Sequence, residues 1–250
     1  MPPKSKSKDD SALGKVYELL PFSMDMMAPG NIISVVAKRG SGKSVLIKQL
    51  LYRYREAPVC MAFSATEEYN QFYGDIIDER LIHADFDTQK LTNLIERQKT
   101  LKARNKKNLE RQRPLEDPHI VVVFDDMMAN ANTIFNDTNM KFLFFNGRHL
   151  HISVIIAAQY IINIPPQCRA NIDIIFLFME TNITTQKKLF DFFGASVFPT
   201  FLDFKATMDH YTQNYGCMVI VNNRASSDYR DRVFCFKAEI NLPKFKFMME

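Results

Sequence analysis

Several features are scarce in this 250-residue sequence, and each absence argues against a class of protein. Only four cysteines are present and no two form a C-x-x-C pair, which argues against a disulfide scaffold or a zinc ribbon. No apolar run approaches the roughly 20 residues that a membrane span requires. The first ten residues, MPPKSKSKDD, lack the apolar core of a signal peptide. These absences predict an intracellular protein without a membrane span.

An excess of charge of one sign is also missing, since 32 Lys and Arg face 28 Asp and Glu and leave a net charge of only +4. The cations cluster instead, because residues 90–113 contain nine Lys and Arg against two Glu, a net charge of +7. No aromatic residue interrupts this basic stretch, which favours contact with the phosphates of duplex DNA over stacking on single-stranded bases. A solvated, partly disordered insertion is the equally supported alternative.

The hydrophobic pattern is typical of an α/β domain. We expect residues 1–12 to be a disordered polar tail and residues 13–250 to form a single domain, with the basic insertion inside it. Continuous apolar runs separated by helix-length segments predict a mainly parallel sheet covered by helices on both faces. These runs are residues 32–36, 59–63, 120–124, 152–158 and 172–178. Residues 217–221 and 233–240 predict an antiparallel hairpin at the sheet edge.

A phosphate-binding loop (P-loop), AKRGSGKS at residues 37–44, follows the first of these strands and leads into a predicted helix. Its glycines let backbone N–H groups face a phosphate, while Lys43 reaches the phosphate oxygens and Ser44 ligates Mg²⁺. The nucleotide contacts are predicted at Lys38, Arg39, Gly40, Ser41, Gly42, Lys43, Ser44 and Val45. Ala37 replaces the first glycine of the pattern, and we expect it to be tolerated if its φ is negative.

Polar residues follow two further strands, at what should be the same edge of the sheet. Asp125 and Asp126 end one strand and are predicted to hold Mg²⁺ and to activate the attacking water, respectively. Gln159 ends the next strand and can hydrogen-bond the γ-phosphate or that water. Arg148 lies eleven residues earlier, where it can either reach a neighbouring subunit or act only as a helix-terminal cation.

The ordered motifs KRGSGKS, VVVFDDMMA, GRHLHISVIIAAQ and CRANIDIIFLF, over about residues 30–195, resemble those of the HerA/FtsK class of DNA-pumping ATPases. The resemblance is strongest to the genome-packaging ATPases of nucleocytoplasmic large DNA viruses, the poxvirus-like group. It implies a RecA-like (ASCE) P-loop NTPase fold, ATP and Mg²⁺ as ligands, Lys43 on phosphate and Asp125 on the metal. It also implies that Arg148 acts across a subunit boundary in a ring, a pentamer or hexamer.

This resemblance predicts an ATP-hydrolysing motor that translocates double-stranded DNA without sequence preference and packages a viral genome into a preformed capsid. A capsid or portal protein would be a further partner, and the location would be the host cytoplasm or the virion. Two alternatives stay open. A nucleotide or nucleoside kinase shares the P-loop but needs an acceptor pocket and an arginine-rich lid. The other alternative is a nucleotide-binding assembly or scaffold protein that does not hydrolyse ATP. Ala37 in place of Gly, and Asp126 where cellular members commonly have Glu, are consistent with it.

Overall fold

The computed structural model describes residues 14–127, 131–160 and 163–247, so that the predicted polar tail, residues 1–12, lies outside the described residues. The strands in the described part are β1 (Leu20–Pro21), β2 (Ile32–Val36), β3 (Val59–Ser64), β4 (Ile82–His83), β5 (Ile120–Asp125), β6 (Ile152–Ala158), β7 (Ile174–Leu177), β8 (Gly216–Val221) and β9 (Val233–Lys237). They form one sheet in the order β1-β9-β8-β7-β2-β6-β5-β3-β4.

The sheet is mainly parallel, as the continuous apolar runs predict. Six consecutive strands of the sheet, β7, β2, β6, β5, β3 and β4, pair in parallel with one another. Alternate side chains of one strand enter different apolar clusters on the two faces: Ile33 and Val35 on one face, Ile32 and Val36 on the other. Helices cover both faces, which is why these strands are apolar at nearly every position rather than at every second one.

The helices are α1 (Lys43–Arg53), α2 (Glu67–Asn70), α3 (Thr88–Glu110), α4 (Ala131–Asn136), α5 (Thr138–Asn146), α6 (Pro166–Arg169), α7 (Ile183–Leu189) and α8 (Phe201–Tyr211). Helix α1 covers one face of the sheet with a buried stripe that contains Leu46, Ile47, Leu50 and Leu51. Residues of α3, α5, α7 and α8 pack on the other face. No helix in the described part of the chain is long and apolar enough to cross a bilayer.

The predicted C-terminal hairpin is present, since β8 and β9 pair antiparallel with Gly216 opposite Lys237. Strand β8 also pairs antiparallel with β7, which joins the hairpin to the parallel part of the sheet. The two-residue strand β1 lies outside β9 and pairs with it in parallel, Leu20 opposite Phe234. The outermost strand on this side is therefore supplied by the N-terminal part of the chain.

The basic stretch forms most of the 23-residue helix α3, not a partly disordered insertion. Asp87 caps the helix, because its carboxylate accepts hydrogen bonds from the backbone N–H groups of Gln89 and Lys90. The helix buries one stripe, at Leu91, Leu94, Ile95, Gln98 and Leu101. These few apolar residues recur at helical spacing, so that they fix the helix on the sheet although most of its surface is charged.

The C-terminal ends of β2, β5 and β6 lie side by side in the sheet. In the register of the sheet Val36 of β2 is opposite Ala158 of β6, and Asp125 of β5 is opposite Ala157 of β6. The loops that leave β2, β5 and β6 therefore start side by side at one edge. This edge is called the carboxyl edge below, and the opposite one the amino edge.

Candidate nucleotide-binding site

The glycine-containing loop, residues 37–44, joins β2 to α1 at the carboxyl edge. Gly40 and Gly42 have φ values of +77° and +100°, in the left-handed region that favours glycine. Gly42 is the N-cap residue of α1 and no side chain caps the helix there. The partial positive charge of the helix N-terminus therefore faces the loop, an arrangement suited to binding an anion.

Ala37, the departure from the usual loop pattern, continues the edge of β2. It does not adopt a positive φ, and its side chain is buried. Its N–H group donates to the carbonyl oxygen of Ala158 at 3.1 Å, which extends the pairing of β2 with β6 by one residue. Since the position needs no left-handed backbone, an alanine fits here, as the sequence analysis expects.

Lys43 and Asp125 form a salt bridge between the loop and the end of β5. Lys43 Nζ donates to Asp125 Oδ1 at 2.8 Å, and both side chains are largely shielded from water. The second oxygen, Asp125 Oδ2, accepts a hydrogen bond from the Tyr73 hydroxyl at 3.1 Å. A buried carboxylate is costly unless it is paired, and here each of its oxygens has a donor.

Tyr73 contacts the candidate site through Asp125, and no motif in the sequence marks it. It is fully buried, in the segment between α2 and β4, and burial together with the neighbouring Asp125 raises the pKa of its hydroxyl well above the usual value. The hydroxyl is therefore a neutral donor at physiological pH. Glu67 holds this segment, because its carboxylate accepts hydrogen bonds from the backbone N–H groups of Tyr73 and Gly74.

Asp126 and Gln159 lie next to each other at the ends of β5 and β6. Gln159 Nε2 donates to Asp126 Oδ1 at 3.4 Å, and the N–H group of Asp126 donates to the carbonyl oxygen of Ala157. The backbone of Asp126 has a φ of +59°, a conformation that costs a residue other than glycine about 1–2 kcal/mol. With this bend Asp126 lines the same cavity as Asp125, whereas successive residues of a regular strand point to opposite faces.

The first part of the loop contacts the segment after β7, the strand that borders β2 on the side away from β6. Lys38 forms an ion pair with Glu180, a buried residue that follows β7. The Glu180 carboxylate also accepts from the N–H group of Asn182 at 2.7 Å, and Ser41 Oγ donates to the carbonyl oxygen of Lys38 at 2.6 Å. No local sequence signal identifies Glu180 as the partner of the loop, because 142 residues separate it from Lys38.

A cavity of about 900 Å³ contains these groups, within the size range of small-molecule sites. The predicted residues that line it are Lys38, Arg39, Gly40, Gly42, Lys43, Ser44, Val45, Asp125, Asp126 and Gln159. Ser41 is not among the lining residues. Further lining residues, which the sequence analysis did not identify, are Thr66, Tyr69, Asn70, Tyr215, Lys237, Ala238 and Ile240. The structure thus brings the predicted loop, acid and amide residues together, Ser41 excepted. A second wall is formed by the residue before β8 and by the end of β9 with the chain that follows it.

Arg148 lies at the other edge of the sheet. It is exposed, in the 3₁₀ turn Gly147–Leu150 that precedes β6, and it does not line the cavity. Strand β6 has seven residues and so separates Arg148 from Gln159 by roughly 20 Å. An arginine side chain cannot span that distance, and Arg148 therefore has no contact with the site of its own chain.

Comparison with known proteins identifies the family of the chain. A family model described as "Poxvirus A32 protein" matches residues 24–235. The chain belongs to the poxvirus A32 protein family. The resemblance to poxvirus-like packaging ATPases in the sequence is thereby confirmed.

Proteins of other large DNA viruses are similar to this A32-family chain. The uncharacterized protein 088R of Invertebrate iridescent virus 3 is 35% identical over 245 residues, which cover 92% of this chain and 89% of that protein. The uncharacterized protein 015R of Frog virus 3 is 37% identical over 217 residues, 86% of this chain and 64% of that protein. The uncharacterized protein L437 of Acanthamoeba polyphaga mimivirus is 29% identical over 222 residues, 89% of this chain and 78% of that protein.

Solved structures share the fold of this A32-family chain at low sequence identity. The genome packaging NTPase B204 of Sulfolobus turreted icosahedral virus 2, in complex with AMP, has a TM-score of 0.55 at 15% identity and covers 86% of this chain and 100% of its own. The pCW3 conjugation coupling protein TcpA, with ATPγS, has a TM-score of 0.55 at 13% identity, over 94% of this chain and 72% of its own. The predicted P-loop ATPase fold is confirmed.

The donors of the A32-family site fit a magnesium nucleotide. Asp125 and Ser44 offer a carboxylate and a hydroxyl, the oxygen ligands that Mg²⁺ prefers. Within the described residues no cluster of three or more His, Cys, Asp or Glu is arranged to hold a metal ion. Mg²⁺ is commonly held by one or two carboxylates together with phosphates of the substrate, and a single buried carboxylate beside a P-loop suits that mode.

Proposed function

We propose that this protein hydrolyses ATP to translocate double-stranded DNA and packages a viral genome into a preformed capsid. The observation that carries the proposal is the salt bridge from Lys43 to Asp125, which joins the phosphate loop to the acidic strand end beside Asp126 and Gln159. Family membership supports the viral setting. The similar B204 structures are of a genome packaging NTPase in complex with ATPγS, AMPPCP and AMP.

Each residue at the carboxyl edge has a role in the proposed reaction. Lys43 and the loop N–H groups bind the phosphates, and Asp125 with Ser44 would hold Mg²⁺, which neutralises charge on the transferred phosphoryl group. Asp126 accepts the proton of the attacking water, and Gln159 orients that water through its amide. The hydrogen bond between Gln159 and Asp126 supports a shared task, because it places both polar groups at one point of the cavity.

Arg148 acts in trans in this proposal. Since it lies at the amino edge, far from the site of its own chain, it can stabilise transition-state charge only at the site of a neighbouring subunit. This requires a homo-oligomeric ring, a pentamer or a hexamer. Hydrolysis then depends on how the neighbour is positioned, which is the property that a translocating ring needs.

The basic helix α3 is the proposed DNA contact. Lys106 and Lys107 are exposed on its C-terminal half, and no ion pair within the described residues involves either of them. Lys102 Nζ donates to the carbonyl oxygen of His149, which ties the basic half of α3 to the turn that contains Arg148. DNA bound on α3 is therefore adjacent to the residue that completes the neighbour's site. A capsid or portal protein would be the remaining partner, in the host cytoplasm or the virion.

Steady-state ATP hydrolysis with and without duplex DNA tests the proposal. We expect turnover that duplex DNA stimulates and that Lys43→Ala abolishes. Lys48→Ala is the matched control, since Lys48 lies on the same helix but does not line the cavity. Phosphate transfer to a nucleoside or nucleotide acceptor would indicate a kinase instead. Nucleotide binding without turnover would indicate a nucleotide-dependent assembly switch.

A further inference from the structure

The cavity has two walls, on either side of the glycine loop. Strands β6 and β5 lie on one side of β2 and bring Gln159, Asp126 and Asp125 to the carboxyl edge. Strands β7, β8 and β9 lie on the other side, and the cavity there is lined by Tyr215 and by the chain that leaves β9. A nucleotide with its terminal phosphate against the acids must extend toward the second wall. Its base therefore lies near Tyr215.

The backbone of Tyr215 is held in an unfavourable conformation. Asn214 and Tyr215 have φ values of +51° and +64°, two consecutive residues other than glycine in the left-handed region. Gly216 follows in a tight turn, where an added Cβ atom would lie 2.3 Å from the carbonyl oxygen of Tyr211. This close approach leaves no room for a side chain at residue 216. Strain of this kind in a cavity wall commonly accompanies a ligand contact.

The Tyr215 side chain is next to the phosphate loop, yet it is not part of the apolar core. It is 66% exposed, although it is a large aromatic side chain. A Cβ atom added to Gly42 would lie 3.6 Å from both Cβ and Cδ1 of Tyr215, which is ordinary van der Waals distance. The ring therefore borders the loop on the side away from the acids, and much of its surface faces the cavity and solvent.

The chain after β9 supplies a second apolar group on the same wall. Ile240 lines the cavity and is 81% exposed. Two contacts fix this segment across α1: the N–H group of Glu239 donates to Gln49 Oε1 at 2.8 Å, and the N–H group of Phe247 donates to the carbonyl oxygen of Ile76 at 2.9 Å. An exposed aromatic ring and an exposed aliphatic side chain beside a phosphate loop suit a flat, largely apolar ligand group.

We propose that Tyr215 and Ile240 form the subsite for the nucleobase, with the base stacked on the Tyr215 ring. This proposal rests on the proposed nucleotide-binding function and assigns a second part of the same cavity. Stacking on an aromatic ring suits every base, and it adds affinity only for ligands that carry one. The subsite thus separates nucleotides from inorganic polyphosphates, which the glycine loop alone does not do.

Calorimetric titration of the full chain with Mg·ATP and with magnesium tripolyphosphate tests the subsite. We expect Tyr215→Ala to weaken ATP binding about ten-fold or more and to leave tripolyphosphate binding within about two-fold. Tyr215→Phe retains the ring and should bind both ligands like the wild type. The matched control is Phe145→Ala, which removes an exposed aromatic side chain that does not line the cavity and should bind both ligands like the wild type.

The outcomes separate the subsite from the proposed function. Unchanged ATP affinity in Tyr215→Ala, or an equal loss for ATP and tripolyphosphate, would overturn the base subsite while leaving the phosphate site in place. A wild-type protein that binds neither ligand would overturn nucleotide binding and the subsite with it. Selective loss of ATP affinity supports the subsite even if the protein shows no DNA-stimulated hydrolysis. Circular dichroism of each variant confirms that the fold is retained, as expected for an exposed side chain.

Discussion

The Tyr73 hydroxyl donates a hydrogen bond to Asp125 Oδ2 at 3.1 Å, on the far side of the carboxylate from Lys43. Asp125 is thus held between a cation on one oxygen and a neutral donor on the other. If Asp125 binds Mg²⁺, the orientation of its carboxylate depends on Tyr73. Tyr73 is therefore a positioning residue in the proposed reaction, although it reaches the site from the segment after α2.

Tyr73→Phe should reduce ATP turnover on the order of ten-fold and raise the Mg²⁺ concentration needed for half-maximal activity. A hydrogen bond to a charged group contributes about 1.5–3 kcal/mol, and its removal affects the orientation of the proposed metal ligand. Turnover measured across a Mg²⁺ titration checks this. Tyr54→Phe is the control, because Tyr54 is also buried and its hydroxyl donates to the carbonyl oxygen of Ala28. An equal effect of both variants would show a structural role only.

Arg148→Ala and Asp126→Asn should each abolish turnover alone, whereas a mixture of the two variants should recover part of it. In a mixed ring an Arg148→Ala subunit retains Asp126 and receives Arg148 from its Asp126→Asn neighbour. ATPase assays of subunits mixed before assembly measure this recovery. Arg55→Ala, at another exposed arginine that does not line the cavity, is the control and should leave turnover unchanged. Mixtures no more active than the separate variants would contradict the trans arrangement.

Substitution of both Lys106 and Lys107 by Ala should weaken DNA binding to all sequences alike. For each DNA phosphate that the variant no longer neutralises, the slope of log affinity against log salt should fall by about 0.9. DNA affinity at several salt concentrations gives this slope. Lys187 and Lys188 provide a matched control, since they are adjacent, exposed lysines on another helix, α7. Equal slopes in the two double variants would exclude this part of α3 as a DNA contact.

His119 should make the protein less stable as the pH falls from 6.5 toward 4. Burial lowers the pKa of His119 from 6.5 to about 4, against an opposing effect of Asp117, and the ring hydrogen-bonds Ser153 Oγ at 2.9 Å. Between these pH values the unfolded chain binds a proton that the fold excludes. The stabilisation is complete above pH 6.5 and is lost as the pH falls, by about 3 kcal/mol.

Urea unfolding at intervals from pH 7 to pH 4 measures this dependence. His119→Gln should flatten the curve of unfolding free energy in that range, since it removes the titrating group. His149→Gln is the control, because His149 is exposed. Parallel pH curves for wild type and His119→Gln would show that His119 does not cause the loss.

Local signals were sufficient for much of the site. The loop at residues 37–44 carries its own glycines, lysine and serine, and the apolar runs before Asp125 and Gln159 identify two strands whose ends meet at one edge. The sequence of the basic stretch does not distinguish a helix from a disordered insertion, because its few buried residues, such as Leu94 and Leu101, lie among many charged ones. The helix is stabilised by packing on the sheet, and the charge pattern alone does not predict that contact.

The sequence by itself determined the order of the strands along the chain, the phosphate loop and the acids that follow β5, because these depend on neighbouring residues and on the fixed periodicity of strands. Only the tertiary structure decided which distant residues lie beside the loop and the acids. Tyr73 is 52 residues from Asp125, and Tyr215 is still farther from Gly42 along the chain. Arg148 differs, because the length of β6 alone separates it from the site of its own chain, whereas the packing of the sheet sets which distant side chains meet.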